Sequence, residues 1–540
     1  MSRLWLGLLI LLAGAGCHGH ETAPPRGETA TVARIREASE AFLRAQVEQS
    51  WERWLSGINA DPGAPALGRE WLFTPTTLDI LRRAIRHEPR GDNRRALHHL
   101  HALLVGEQVK LATLDIDEKL WTLTRSPVTV GNESLAYRDL PPRLAREPDA
   151  GLRRAWSDAA LPVLAAMEPL IREREAEVRR VAQRLGYNSR LALSSEVRQY
   201  DLTRVESLAQ TLLDQTEALY LSLLDELAEV ELGLHLAELR PADIPRLLYS
   251  SRYELAFPAD DMLNVVETTV ADLGIRLASL PIQIDARPLE SKHPRPACFP
   301  IIVPTDIRLS LKPAGGATDY AALLHEVGHA LHFAKTRTLG FELQVLGDAS
   351  SSEALAFLFE TLADDPAWLS ERLDMREPML SAYTRLAVLK RLLMVRRYAA
   401  RVLVELETQS GKHPGAGPRY RELLSRAYGF PLEAADTAHA FVDQDPFLEA
   451  ADYVRGWVVA AALSADLKRR FGARWWQNPA AAERLDELWA AGQRDTADEL
   501  ALKVDAKGIG AEALLRWTAE TLAASGTGAP PRSVRSQRER

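Results

Sequence analysis

Apolar residues recur along most of this chain at intervals of three and four positions, the spacing of one face of an α-helix. Near the N-terminus this spacing joins Ile35, Ala38, Phe42 and Ala45, and it continues through residues 152–185, 202–234 and 379–406. The pattern predicts an all-α fold built as one large multi-helix body.

Alternation of apolar and polar residues, which indicates a half-buried strand, is rare. The two best segments are 281–286 and 307–311, and they predict at most a small β-sheet near the middle of the chain. Stretches containing proline at 241–245 and 292–304 interrupt the helical pattern. We therefore expect an N-terminal helical half, residues 31–245, and a second helical half, residues 246–523.

The first 16 residues follow a different pattern. Arg3 precedes an apolar run at positions 4–12 and four small residues, and Cys17 comes next. This is the order of a signal peptide, and small residues directly before a cysteine resemble the lipobox of bacterial lipoproteins, in which that cysteine is acylated. Gly14 stands where a leucine is usual, so ordinary signal cleavage is the alternative.

Both interpretations predict secretion across the inner membrane. With a lipid on Cys17, the protein is anchored to a membrane of the bacterial cell envelope, at the outer membrane or facing the periplasm. Residues 17–30 are then a polar linker, and residues 524–540, which are rich in arginine and almost free of apolar side chains, form a disordered basic tail.

The composition is that of a soluble globular protein, with 46% hydrophobic and 26% charged residues. A net charge of −8 argues against nucleic acid as the main partner. The two cysteines, Cys17 and Cys298, permit at most one disulfide, so the fold depends on packing. Cys298 is expected to be a small buried hydrophobic residue.

The strongest chemical signal is His325-Glu326-Val327-Gly328-His329, an HExxH motif. Residues four apart share one face of a helix, so both imidazoles can bind one metal ion while Glu326 faces the water on that metal. Thr318 and Asp319 offer an N-cap for this helix. The alternative is a structural or vestigial metal site.

Zinc bound by two histidines needs a third protein ligand and a fourth position open for water. Glu353 lies 24 residues after His329 and follows three serines, so a serine-capped helix can bring its carboxylate to the metal. Glu342 and Glu360 remain alternatives, and Glu360 also suits a role in orienting a histidine. We expect His332 to be a neighbour of the site and not a ligand.

The string HEVGHALH with a Glu-Ala pair 24 residues later resembles the thimet oligopeptidase and oligoendopeptidase F family of helical zinc peptidases. The likeness spans residues 170–518, although its specific part is the zinc segment. It implies a deep channel between two helical halves, one Zn²⁺ per chain bound by His325, His329 and Glu353, and Glu326 as the general base.

The region around Tyr453 departs from the family pattern. Family members carry several tyrosines here with a histidine shortly before, where they hold substrate and oxyanion; this chain has Tyr453, Arg455 and Trp457, and Asp443 and Asp445 upstream. The resemblance assigns Tyr453 a catalytic role. The Tyr-Val-Arg order is similar to the angiotensin-converting enzyme family and makes Arg455 a candidate contact for an anion or a carboxylate. The alternatives are a packed aromatic ring and an ion pair.

These features predict a zinc metallopeptidase that cleaves short peptides internally. One alternative is an exopeptidase that releases C-terminal dipeptides, as in the angiotensin-converting enzyme family. Another is a catalytically impaired lipoprotein that binds zinc or peptide, suggested by the missing tyrosines and histidine. Glu326 argues against this second alternative because binding alone does not require it. The sequence does not indicate the oligomeric state.

Overall fold

The computed structural model describes residues 28–57, 63–249, 251–411, 416–505 and 507–524. The predicted signal peptide, Cys17 and residues 17–27 of the linker lie outside these residues, as does the predicted tail beyond residue 524. The first helix begins at Glu28, so the last three residues of the predicted linker are helical.

Helices make up most of the described chain, as predicted. From the N-terminus they are α1 (Glu28–Ser56), α2 (Pro75–His87), α3 (Asp92–Leu123), α4 (Leu140–Arg146), α5 (Ala150–Ala159), α6 (Leu161–Arg184), α7 (Arg190–Arg198), α8 (Arg204–Leu232), α9 (Ile244–Tyr249) and α10 (Met262–Asp272). They continue with α11 (Ala317–Ala334), α12 (Phe341–Val345), α13 (Ala349–Glu360), α14 (Pro366–Arg372), α15 (Met379–Gln409), α16 (Ala416–Tyr428), α17 (His439–Val442), α18 (Ala450–Phe471), α19 (Pro479–Trp489), α20 (Ala497–Val504) and α21 (Glu512–Ala524).

Two small sheets interrupt the helices. A hairpin joins β1 (Pro127–Val130) to β2 (Glu133–Ala136), and a three-stranded sheet contains β3 (Ile282–Asp285), β4 (Ala297–Ile302) and β5 (Asp306–Ser310). In the second sheet β5 lies in the middle, parallel to β3 and antiparallel to β4. The predicted strands 281–286 and 307–311 are thus confirmed. The sequence did not indicate β4, because Pro300 interrupts its pattern; proline is tolerated there because β4 is an edge strand.

The main hydrophobic core extends from Leu202 to Trp517 and includes the buried faces of α8, α11, α13, α15 and α18. Helix α8 therefore packs with the second half of the chain, although it precedes the predicted boundary at residue 245. A separate core joins α1, α2, α3, α6 and α7. Within the described ranges, no helix combines the length and apolar character needed to cross a membrane.

Helix α13 lies between α11 and α18, and two glycines permit the close approach. A Cβ atom on Gly328 of α11 would lie 2.8 Å from the Cα atom of Ala356, and one on Gly456 of α18 would lie 3.0 Å from the Cβ atom of Glu353. Larger residues at these positions would hold the three helices apart. The glycines thereby bring the HExxH helix against the helix that carries Glu353 and Glu360.

Candidate metal centre

The HExxH motif lies in the third and fourth turns of α11. The helix begins after Gly316, which serves as its N-cap without a side-chain hydrogen bond, so the predicted cap at Thr318 or Asp319 is wrong. Gly316 has a φ of +86°, a conformation that glycine adopts without strain. Asp319 instead accepts a hydrogen bond from the backbone N–H of Ala314, which fixes the approach to the helix.

Helix α13 presents Glu353 to α11 from its second turn. Its N-cap is Asp348, whose side chain accepts a hydrogen bond from the N–H of Ser350, so the predicted serine cap is wrong. Asp348 is almost fully buried and is therefore in a position to hold the start of α13 firmly. Ser352, which directly precedes Glu353, is left to face α11.

Three candidate ligands converge at one point. The Nε2 atoms of His325 and His329 are 3.1 Å apart, and the carboxylate of Glu353 lies 3.5 Å from the first and 3.8 Å from the second. Atoms bound at about 2.0 to 2.2 Å to one zinc ion are separated by distances of this order. Within the part of the chain that the structure describes, these three residues form the one group of histidine, cysteine or acidic side chains whose ligand atoms lie close enough together to hold a metal ion.

The surroundings of one oxygen of Glu353 also fit a cation. Its Oε2 atom is buried and lies 3.5 Å from the Nε2 atom of His325, but it makes no hydrogen bond among the described residues, although buried carboxylate oxygens normally make one. Two imidazole nitrogens and one carboxylate oxygen are the donor set of a catalytic zinc site with an open fourth position. The residues present therefore fit zinc.

The electrostatics of the centre favour a positive charge. Burial raises the pKa of Glu353, but its interactions with His325 and His329 outweigh burial and lower that pKa below its ordinary value. Burial lowers the pKa of His325, but Glu353 and Glu360 outweigh it and raise the pKa well above its ordinary value. Two carboxylates thus face one imidazole, and a bound cation would neutralise them as a proton does.

Glu360 holds the far side of His325. Its Oε2 atom lies 2.9 Å from the Nδ1 atom of His325, and its Oε1 atom lies 2.9 Å from Arg391, which also binds Asp364 at 3.0 Å. Burial raises the pKa of Glu360, but the charge of Arg391 outweighs it and holds the pKa at about 2. The charged carboxylate accepts the Nδ1–H of His325 and leaves its Nε2 lone pair for a metal.

His329 has a different outer partner. Its Nδ1 atom lies 3.0 Å from the hydroxyl of Ser352, which lies 3.4 Å from the Nδ1 atom of His332. His332 is fully buried, burial lowers its pKa to about 4, and it does not belong to the ligand group. Sequence reasoning missed Ser352, because a serine before Glu353 was interpreted as a helix cap.

Glu326 is held by the edge strand of the small sheet. The backbone N–H of Cys298 in β4 donates to its Oε2 atom at 2.8 Å, so the carboxylate is fixed beside the histidine pair. Cys298 was expected to be buried, but the residue is half-buried. Burial, and then the charge of Glu326, raise the pKa of its thiol well above the ordinary value.

Tyr453 lies near the candidate metal centre, and the ring of Phe357 contacts both Tyr453 and His325. Its ring centroid is 6.0 Å from that of Phe357, which lies 4.9 Å from the ring of His325. Tyr398 and Trp457 complete the aromatic cluster, at 5.4 and 6.2 Å from Tyr453. Tyr453 therefore packs against this cluster and remains partly exposed, on the same side of α18 as Gly456.

Arg455 forms ion pairs with two acidic side chains. Its guanidinium is buried, contacts Asp348 at 2.8 Å and Asp498 at 2.6 Å, and stacks on the ring of Tyr200 at 3.7 Å. These contacts tie α18 to the start of α13 and to α20. The geometry therefore favours the ion-pair alternative over an anion or substrate contact.

The remaining acidic candidates lie outside the ligand group. Asp443 pairs with Arg397 at 2.7 Å and accepts a hydrogen bond from the hydroxyl of Tyr420 at 2.6 Å. Asp445 accepts two backbone N–H groups just before α18. Glu342 lies on α12 and pairs with Arg36 at 3.0 Å. All three side chains have structural partners.

Comparisons with protein-family models and with curated proteins found no match. Among solved structures, the chain is similar to a crystal structure described as a "putative oligoendopeptidase F" from Bacillus anthracis str. Ames, with a TM-score of 0.64 and 15% sequence identity over 93% of each chain. The chain shares this fold. The oligoendopeptidase F-like fold covers nearly the whole chain and confirms the predicted helical architecture. The deep channel implied by the resemblance stays a prediction.

Proposed function

We propose that this protein is a zinc-dependent peptidase that hydrolyses peptide bonds in short peptides. The observation that carries the proposal is the convergence of His325, His329 and the carboxylate of Glu353 beside Glu326, on a fold shared with a protein described as a "putative oligoendopeptidase F". His325, His329 and Glu353 would hold one zinc ion per chain. When bound, zinc lowers the pKa of a coordinated water and polarises a carbonyl group.

Glu326 would act as the general base. It accepts one proton of the attacking water while the water oxygen bonds to the carbonyl carbon of the peptide. It then passes this proton to the nitrogen of the leaving amine as the carbon–nitrogen bond breaks. The hydrogen bond from the backbone N–H of Cys298 orients the carboxylate of Glu326.

Tyr453 would donate a hydrogen bond from its hydroxyl to the oxyanion that develops on the attacked carbonyl. The partial exposure of this residue beside the aromatic cluster around Phe357 supports the assignment. We also propose secretion and anchoring through a lipid on Cys17, supported by the lipobox-like sequence before that cysteine. The enzyme would then meet its peptides in the cell envelope.

The test uses the full chain without its signal segment, assayed on quenched peptides of graded length with a chelator and with added zinc. The wild-type protein should bind one zinc ion and lose activity reversibly when zinc is removed. Glu326→Gln should keep the zinc and lower kcat by roughly 100- to 10,000-fold, the usual contribution of a general base. A purified Glu326→Gln protein with unchanged turnover would refute the assignment.

Glu353 and Glu342 provide a matched pair of glutamates for the ligand assignment. Glu353→Gln should lose most zinc, whereas Glu342→Gln, outside the ligand group, should keep it. Loss of zinc from Glu342→Gln alone would mean that the wrong carboxylate has been assigned.

The alternative activities give different results in the same assay. An exopeptidase that releases C-terminal dipeptides cleaves a peptide with a free C-terminus and not the same peptide with an amidated C-terminus. An endopeptidase cleaves both peptides. A protein that binds zinc and peptide but cleaves neither substrate is the impaired lipoprotein. We favour the endopeptidase because Arg455, the candidate for a terminal carboxylate, is already paired with Asp348 and Asp498.

A further inference from the structure

We propose that Ser352 and His332 are positioning residues. They connect His329 to the backbone carbonyl of Gly492 by hydrogen bonds and thereby fix the tautomer of His329. The inference rests on the proposed zinc site, because it concerns how one of its ligands is prepared. It is carried by a continuous line of hydrogen-bonding atoms. His332 Nε2 lies 3.0 Å from the Gly492 carbonyl oxygen, His332 Nδ1 lies 3.4 Å from Ser352 Oγ, and Ser352 Oγ lies 3.0 Å from His329 Nδ1.

The turn that carries Gly492 provides a rigid end to this line. Gly492 has a φ of +59°, and a Cβ atom there would lie 2.9 Å from the carbonyl oxygen of Leu343. The next residue, Gln493, donates its N–H to the same carbonyl at 2.8 Å, and the carbonyl of Ala490 accepts two N–H groups from the segment after α11. The Gly492 carbonyl is thus held in place from two sides.

The direction of every proton follows from that carbonyl. A carbonyl oxygen can only accept, so His332 carries its proton on Nε2. His332 is fully buried and its partners in the line are uncharged, so the ring is neutral and Nδ1 is an acceptor. The single hydroxyl proton of Ser352 must then point to His332, and the hydroxyl oxygen accepts from His329.

The consequence falls on the metal ligand. His329 must donate from Nδ1, so its Nε2 atom carries the lone pair that faces His325 and Glu353. In the other tautomer Nε2 would carry a proton and could not bind a metal. The two ligands are therefore prepared differently: a charged carboxylate orients His325, and an uncharged line of atoms orients His329.

Ser351 offers a matched control for Ser352. Both serines are buried in the first turn of α13, but the hydroxyl of Ser351 donates to the carbonyl of Asp348 at 2.8 Å and takes no part in the line to Gly492. The measurement is the zinc Kd of the folded full chain without its signal segment, obtained by competition with a chromogenic chelator. Circular dichroism and a thermal midpoint show that each variant is folded.

Ser352→Ala should raise the zinc Kd by about 10- to 100-fold, as is usual when an outer partner of a metal ligand is lost, whereas Ser351→Ala should leave it unchanged. His332→Phe keeps an aromatic ring and removes both nitrogens, and it should raise the Kd similarly. The double variant Ser352→Ala/His332→Phe should bind zinc no more weakly than the single variant with the higher Kd, because both substitutions interrupt the same line of hydrogen bonds.

Other outcomes overturn the inference. An unchanged zinc Kd in Ser352→Ala does so, as does an equal loss in Ser351→Ala, since the effect would then belong to the start of α13 in general. Additive losses in the double variant would show two independent effects. If Ser352→Ala does not fold, His332→Phe decides the question by the same measurement. Failure of the wild-type chain to bind zinc would overturn the proposed function itself, not this step alone.

Discussion

Gly328, the fourth residue of the HExxH motif, should not tolerate alanine. A Cβ atom on this residue would lie 2.8 Å from the Cα atom of Ala356 and 3.2 Å from the carbonyl oxygens of Leu355 and Ala356. All three obstacles are backbone atoms of α13. No side-chain rotation relieves the clash, so α11 and α13 must move apart.

The size of the effect follows from this geometry. Carbon atoms attract at separations of roughly 3.5 Å, so the approach to Ala356 is short by about 0.7 Å. Overpacking of this kind costs about 1 to 3 kcal/mol, while alanine gains about 1 kcal/mol of helix propensity over glycine. The same displacement separates His325 and His329 from Glu353, so the zinc Kd should also rise.

Gly106 in the interior of α3 is the matched control. A Cβ atom there would make an ordinary contact with Val197 at 3.6 Å, so Gly106→Ala should gain the helix propensity without the clash. Thermal unfolding of the zinc-free proteins should therefore place Gly106→Ala above the wild type and Gly328→Ala below it. Equal midpoints for the two variants, with an unchanged zinc Kd in Gly328→Ala, would refute the packing argument.

Two further predictions concern Asp443 and Tyr453. Burial raises the pKa of Asp443, but the charge of Arg397 outweighs it and holds the pKa at about 2. This is below the unfolded value of about 3.9, so Asp443 stabilises the fold above pH ~5 and loses that contribution as the pH falls towards 2. Asp443→Asn should lower the free energy of unfolding by roughly 2 to 3 kcal/mol at pH 7, and denaturant titrations should show this difference shrinking in acid; a difference independent of pH would contradict the prediction. Tyr453→Phe should lower kcat by about 10- to 1000-fold if its hydroxyl stabilises the oxyanion, and steady-state kinetics with an unaltered kcat would leave Tyr453 a packing residue.

Local sequence signals predicted the helices and the HExxH motif because each depends on residues a few positions apart. The apolar spacing within 152–185 and 202–234 reports on one face of one helix, and His325 and His329 share a face for the same geometric reason. The strands β3 and β5 were visible as short alternating segments. In contrast, β4 pairs through its backbone with β5, and that pairing is not encoded in the spacing of its own side chains.

The sequence alone could not decide which glutamate is the proposed third ligand. The sequence left Glu342, Glu353 and Glu360 open, since each is a glutamate near a predicted helix. The structure distinguishes the three glutamates by their contacts. Glu353 lies beside both imidazoles, Glu360 contacts the Nδ1 side of His325, and Glu342 pairs with Arg36. Gly328 and Gly456 permit the close contacts that produce this arrangement.

The sequence by itself therefore determined the helical class, the two imidazoles and the adjacent Glu326, all of which depend on the geometry of a single helix. The tertiary structure alone decided which carboxylate joins them, that Arg455 is paired with Asp348 and Asp498, and that Ser352 connects His329 to His332. These are contacts between elements distant in sequence. They depend on how closely and at what rotation two helices pack, which the periodicity of either helix does not specify.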